Sequence, residues 1–314
     1  MAQANAVGII GTGWVGSSVA ISALHLGLAH ELLLHDARTA IAEGEAMDLA
    51  HGGSFYPAAH VRAAPLDDLL DTRAVVIAAG RASTGSQSRL ELLRDNARLI
   101  ANFARAFCAY RGVVVLVTNP VDVLTHVFQQ VSGLPAARVV GTGTMLDTSR
   151  LRHVIGRELA LDPRSVHAQV VGEHGDSEVV LWSSAHIGGT PLRQWPGWSA
   201  SREDAIAREV RTAAYEIIQR KGATNHAIGV VAANLLRSIL HDERRVLTVS
   251  RTQEGELGLT SLAMSLPAVV GARGAEQVIA PVTDAVELES IARSAQVLRD
   301  AIAAAQGGEA RPPS

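Results

Sequence analysis

A short apolar run, Ala6 to Ile10, breaks directly into Gly11-Thr12-Gly13-Trp14-Val15-Gly16, and no other feature constrains the fold as tightly. A helix-like stretch, Ser17 to Leu26, comes next, and Leu32-Leu33-Leu34-His35 then ends on an acid, Asp36. Strand, glycine turn, helix and a second strand ending in a carboxylate make up a dinucleotide-binding unit. Gly11 makes the turn, Gly13 lets the backbone of the Val15-containing loop approach a pyrophosphate, and Gly16 lets the helix pack on the sheet. The helix N-terminus attracts the phosphates. Asp36 is placed to accept hydrogen bonds from the adenosine ribose and to repel a 2′-phosphate, which favours NAD over NADP. A glycine fingerprint alone is weak evidence; the strand, helix and distal acid around it make a mere turn the poorer reading.

The first half repeats one phrase, apolar strand, loop, amphipathic helix, with strands expected near 6–10, 31–35, 74–79, 112–118 and 138–141. Strands separated by helices imply right-handed crossovers and a parallel sheet covered on both faces, with ligands at the carboxyl ends of the strands. Gly11, Gly80 and Asn119 stand at such ends. After about residue 143 helices lengthen and strands shorten. Helices are expected over 205–221 and 227–240, antiparallel strands over 246–250 and 265–270, and a last helix near 284–304 with Leu288, Ile291, Ala295, Leu298 and Ile302 in one apolar stripe. The fold class is therefore α/β: a doubly wound parallel sheet over 1–142, an α+β substrate domain over 143–306, and a Gly- and Pro-rich tail, 307–314, expected to be disordered.

Composition removes several classes of function. With 47% hydrophobic and 19% charged residues the 314-residue chain is long enough to bury a sizeable core, and with aromatics at 4% that core must be aliphatic. A net charge of −3 with no long basic run argues against a nucleic-acid partner. No apolar run is long enough to span a bilayer, and no basic, apolar leader precedes the first strand. One cysteine, Cys108, rules out an internal disulfide and fits the cytoplasm, with helix packing as its expected role.

The chemistry concentrates at 143–177. In Gly143-Thr-Met-Leu-Asp147-Thr-Ser-Arg150, the carboxylate and guanidinium are three apart and share a helix face. A guanidinium holds a planar carboxylate through two parallel hydrogen bonds, and an imidazole with an aspartate partner exchanges a proton near neutral pH. His174, in a short loop between Gly172 and Gly175, supplies that imidazole. The set suits oxidoreduction of a small carboxylic acid. Metal binding fits less well, because no second His or Cys stands at ligand spacing.

The motifs GTGWVG, LLLHD, AEGEAMDLAHG, SRLELLRDN, VTNPVDVLT, GTGTMLDTSRLR, GEHGDSEV and KGATNHAIG occur in order from about residue 6 to 304. Through them the chain resembles the lactate and malate dehydrogenase family, most of all its bacterial L-lactate branch. The resemblance implies that Arg89, in a mobile loop, polarises the substrate carbonyl, that Arg150 binds the substrate carboxylate, and that His174 is the acid–base group oriented by Asp147. It implies that Asn119 touches substrate and nicotinamide, with a cis bond allowed before Pro120, that Thr224 and Ile228 line the pocket and the nicotinamide face, and that Gly80 and Asn96 join the NAD site. Arg152 and His167 match positions that hold fructose 1,6-bisphosphate between subunits in allosteric bacterial members; bridging subunits or binding other anions is the plainer alternative. A homotetramer is expected.

One departure bears on substrate. The position that carries glutamine in lactate enzymes and arginine in malate enzymes is Ser83, counted without a gap. Serine supplies no cation for a second carboxylate, so pyruvate or a somewhat larger monocarboxylic 2-oxo acid is expected. If Arg81 turns inward, the malate reading recovers. A non-catalytic dinucleotide-binding protein is the alternative from another class, and Arg89, Asp147, Arg150 and His174 together argue against it, since such a protein needs no proton shuttle beside a carboxylate clamp.

Overall fold

The computed structural model describes residues 5–81 and 88–307. The chain opens with β1 (Ala6–Ile10), α1 (Trp14–His25), β2 (Glu31–His35), α2 (Thr39–His51), β3 (His60–Ala63), β4 (Ala74–Ile77), α3 (Arg89–Ala106), β5 (Val113–Leu116), α4 (Val121–Ser132) and β6 (Val139–Gly141). These six strands pair in parallel in the order β3-β2-β1-β4-β5-β6, so the direction of winding reverses between β1 and β4. β4 (AVVI) and β5 (VVVL) are buried throughout, as continuous apolar runs must be when helices cover both faces. Alternation along β1 divides the core. Ile9 packs on the face covered by α1, α2 and α7 (His226–Leu240), and Ile10 on the face covered by α3, α4 and α8 (Ala285–Gln306).

The second half continues with α5 (Met145–Leu159), the short strands β7 (Val166–His167), β8 (Val170–Val171), β9 (Val179–Val180), β10 (His186–Ile187) and β11 (Thr190–Pro191), and α6 (Ala200–Lys221), followed after α7 by β12 (Arg245–Glu254), β13 (Thr260–Gly271) and β14 (Gly274–Val278). A third apolar cluster, including Leu151, Ile155, Val166, Ile187 and Ile206, joins α5, the short strands and α6. β12 and β13 pair antiparallel, as expected, and β12 meets β6 at Ser250 and Gly141. The two halves thus share one nine-stranded sheet.

Several expectations need correction. The strand β3 was not anticipated: His60-Val61-Arg62-Ala63 is polar at alternate positions because it closes the sheet edge. Leu288 lies outside the α8 stripe at 46% exposed, while Ile291, Ala295, Leu298 and Ile302 are buried. Cys108 follows the end of α3 and is exposed, not packed. Of the expected tail only Gly307 is among the described residues.

Candidate active site

The glycine turn has the geometry a dinucleotide needs. Gly11 adopts φ +91°, and a Cβ there would lie 2.5 Å from the backbone nitrogen of Ala79 at the neighbouring strand end. A Cβ on Gly16 would lie 1.8 Å from the Gly11 carbonyl oxygen, so α1 can start this close to the turn only with glycine. Gly13 faces open space and caps α1 without any side chain, which leaves first-turn N–H groups for an anion. Asp36 Oδ2 accepts from the Thr12 N–H (3.0 Å), and Oδ1 from the Arg38 N–H (3.0 Å). Burial pushes its pKa up, yet these hydrogen bonds prevail and hold the carboxyl below its ordinary value. The residues present fit NAD. Gly80 follows β4, where a Cβ would meet Thr118 Cγ2 at 2.6 Å. Asn96 is buried and clasps the loop backbone: its Oδ1 accepts from the Arg81 N–H (2.7 Å), and its amide donates to the Asn119 carbonyl (3.4 Å).

Beyond those strand ends lies a cavity of about 390 Å³ that gathers Arg89, Asn119, Asp147, Arg150 and His174. α5 contributes Asp147 and Arg150 from one face, as the spacing predicts, and their side chains meet at 2.8 Å. The other carboxylate oxygen, Oδ2, takes His174 Nδ1 at 2.6 Å. An ionised carboxylate only accepts, so Nδ1 carries a proton and Nε2 is the nitrogen left for substrate. The loop itself is fixed by its backbone. Gly172 has φ +93° and exchanges hydrogen bonds with Ser265 of β13, and the His174 N–H donates to Asp122 Oδ2 at 2.7 Å. The Asn119–Pro120 bond is cis.

Electrostatics follow from burial of this cluster. Burial alone would lower the His174 pKa, but the Asp147 carboxylate overrides it and raises the imidazole to about 9. Burial likewise opposes the Asp147 charge, and His174 with Arg150 outweighs it, keeping Asp147 ionised below its ordinary range. Asp122 is pushed up to about 6 by burial, which the His174 N–H offsets in part.

Other expected site residues are placed differently. Arg89 is the first residue of α3, preceded by a capping box between Ser88 and Glu91, so it projects into the cavity from a helix start. Ser83 lies outside the described residues. Arg81 does not line the cavity; its guanidinium meets Asp95 on α3 at 3.1 Å. Neither Thr224, in the link before α7, nor Ile228, which packs on the core, lines it. Arg152 turns away from His174 and donates to the Ala168 carbonyl, beside Arg245, and His167 stacks on His186 with ring centroids 4.8 Å apart. Residues not foreseen complete the cavity wall: Glu178 from the loop, and Arg211, Ala214, Tyr215 and Ile218 from α6. Their three- and four-residue spacing along α6 was a usable signal. Among the described residues no cluster of His, Cys, Asp and Glu is arranged to hold a metal ion, and no helix is long and apolar enough to cross a membrane.

Comparison with known proteins agrees with this geometry. Residues 5–141 match the lactate/malate dehydrogenase NAD-binding domain family, and residues 144–307 the α/β C-terminal domain of the same family. An L-lactate dehydrogenase of Synechococcus sp. (strain JA-3-3Ab) is 41% identical over 94% of this chain and 97% of its own. That of Thermus aquaticus is 42% identical over 95% and 98%. Among solved structures, the minor L-lactate dehydrogenase of Enterococcus mundtii, in a ligand-bound form, superposes with a TM-score of 0.93 at 37% identity, covering 95% of this chain and 98% of that one.

Proposed function

The chain belongs to the lactate/malate dehydrogenase family, and from that premise we propose that it interconverts pyruvate, or a somewhat larger monocarboxylic 2-oxo acid, and the L-2-hydroxy acid with NAD as cofactor. The observation that carries the reading is the unbroken chain Arg150–Asp147–His174 in one cavity at the carboxyl ends of the sheet.

NAD, held by the glycine turn, the start of α1 and Asp36, supplies hydride transfer at its nicotinamide. The side chains supply the rest. Arg150 receives the substrate carboxylate through its guanidinium hydrogens not committed to Asp147. His174 Nε2 gives a proton to the carbonyl oxygen during reduction and removes it during oxidation, while Asp147 stabilises the protonated ring. Arg89 stabilises the charge that develops on that oxygen. Because the Asp147 carboxylate holds the His174 proton up to about pH 9, the donor is present at neutral pH without a substrate to induce it.

Arg81 supports the monocarboxylic reading, since its pairing with Asp95 turns it from the cavity where a second carboxylate would need it. NADH oxidation with a panel of 2-oxo acids tests this: pyruvate should show a kcat/KM well above that of oxaloacetate. The reverse preference overturns the substrate, and no turnover of any 2-oxo acid overturns the function.

Assembly and regulation belong to the same proposal. Trp14 (63%), Phe55 (86%), Met47 (62%) and Val230 (52%) are exposed on α1, the segment after α2, α2 and α7 respectively, apolar surface that supports a homo-oligomer, with a tetramer as the expected form. Arg152 and Arg245 line one cavity with Arg164, a concentration of cations that supports an anionic effector such as fructose 1,6-bisphosphate. Sedimentation and pyruvate saturation with and without the bisphosphate test both. The lone exposed cysteine supports a reducing, cytoplasmic setting.

A further inference from the structure

Two polar side chains of the substrate cavity take no part in that mechanism and carry a buried atom without a hydrogen-bond partner among the described residues. Glu178, four residues beyond His174, is 6% exposed, and its Oε1 has no hydrogen-bond partner among the described residues. Arg211 reaches the same cavity from α6, and its buried Nε is unpartnered in the same way. A buried carboxyl with an unanswered oxygen is costly as an anion and tolerable as a neutral acid.

The charges facing Glu178 come from three directions. Asp147 on α5 repels its anion; Arg211 on α6, His174 on its own loop and Arg150 on α5 favour it. Burial and Asp147 prevail and push the carboxyl up to about 8. Glu178 therefore enters neutral solution as an acid, next to a histidine that is also protonated.

We propose that Glu178 is a positioning residue that sets the charge of the pocket: it is neutral while the 2-oxo acid is bound, and its ionisation, in addition to that of His174, ends substrate binding on the alkaline side. The inference rests on the reaction proposed above. While Glu178 is an acid, the cations Arg89, Arg150, Arg211 and protonated His174 outnumber the carboxylates of Asp147 and Asp176 that line the cavity with them, and have positive charge to spare for the incoming carboxylate. Loss of the Glu178 proton to solvent leaves its electron pair on oxygen and adds a further fixed anion, which competes with substrate for the same cations and draws Arg211 toward itself. Substrate affinity falls while the proton on His174 is held more firmly. The effect therefore appears in KM before it appears in kcat.

The test is the dependence of kcat/KM for pyruvate on pH at saturating NADH, from about pH 6 to about pH 10, in the native enzyme and in Glu178→Gln, whose amide mimics the neutral acid. The native profile should fall on its alkaline side with the loss of two protons, and that of Glu178→Gln with the loss of one, the difference residing in KM. A merely structural role would lower the whole profile and keep its slope. A native profile governed by one proton, or a variant still governed by two, overturns the inference. Should Glu178→Gln fail to fold, the native slope decides alone. If the native enzyme does not reduce pyruvate at any pH, the proposed function has failed, an outcome distinct from either slope.

Discussion

The glycine turn after β1 and the loop that carries His174 lie at the same edge of the molecule, but opposite kinds of physics hold them. The turn is a matter of shape: Gly11 and Gly16 are required because a Cβ would meet backbone at 2.5 and 1.8 Å, and the only charge involved, Asp36, is an acceptor for backbone N–H groups. The loop is a matter of charge: a carboxylate 2% exposed is held between a guanidinium and an imidazole, and displaces the pKa of both acid and base. Shape tolerates changes of pH and salt but not an added atom. Buried charge tolerates small changes of volume but not the loss of a partner.

The largest effect should come from breaking the charged half. His174→Ala removes the proton donor, and kcat for pyruvate reduction should fall by about 10²- to 10⁴-fold while NADH binding, measured by fluorescence, stays near native. Arg150→Ala should act mainly on KM, by about 10²-fold, corresponding to roughly 3 kcal/mol for a lost charge-assisted pair. A variant of either residue with a near-native kcat/KM would remove that residue from the mechanism.

The same half should carry a pH signature in stability. The folded His174 pKa, about 9, exceeds the unfolded value of 6.5, so its contribution is fully present below about pH 6.5 and is lost as the pH rises through about 9. Its size is on the order of 3 kcal/mol. Glu178, also raised, loses its contribution in the same direction, so the two are separated by comparison with His174→Ala. Urea denaturation should show native and variant stabilities converging between neutral and alkaline pH. A constant gap across that range would mean that the Asp147–His174 pair does not act through charge.

Breaking the shaped half should cost less in chemistry and more in binding. Gly16→Ala forces a methyl against the Gly11 carbonyl, and overpacking of this kind destabilises by about 1–3 kcal/mol. NADH affinity should weaken with it, whereas the pH dependence of the enzyme that still binds NADH should not move. Native stability and native NADH affinity together would show that α1 shifts to absorb the methyl.

The same contrast explains which features are legible in the sequence. Shape requirements write themselves as residue types at fixed local spacing, so the glycine turn, the carboxyl-end positions Gly80 and Asn119, and the shared face of Asp147 and Arg150 were all legible. The pairing of His174 with Asp147, 27 residues apart in sequence, follows from no local spacing; the residue types suggest it and the family resemblance assigns it. Glu178 is unremarkable until α6 is laid across the loop, and Arg211 is legible only as one position of a helical period whose destination the sequence does not show. Asn96 holds the backbones of Arg81 and Asn119, and the sequence gives no sign of which polar atoms an amide will satisfy. Leu288 fits the helical period yet is exposed, since periodicity marks a face and not how far along the helix the core extends.

The smallest expected effect lies where shape and charge meet, at Asp36. Its carboxylate is committed to the N–H groups of Thr12 and Arg38, which fixes a negative charge at the end of β2 whatever ligand arrives. A 2′-phosphate there would face that charge, so the native enzyme should prefer NADH to NADPH in kcat/KM. The Arg38 guanidinium, however, is 76% exposed and 3.9 Å from the carboxylate, and is free to turn toward a phosphate once the acid is gone. Asp36→Ser should therefore weaken NADH, because the ribose loses its acceptor and Thr12 its anchor, while NADPH gains from Arg38 what it loses from the turn. Exposed charges of this sort contribute about 1 kcal/mol or less, so the ratio of the two specificity constants should move by roughly fivefold and no more. A native enzyme indifferent to the phosphate would show that Asp36 serves only to hold the glycine turn.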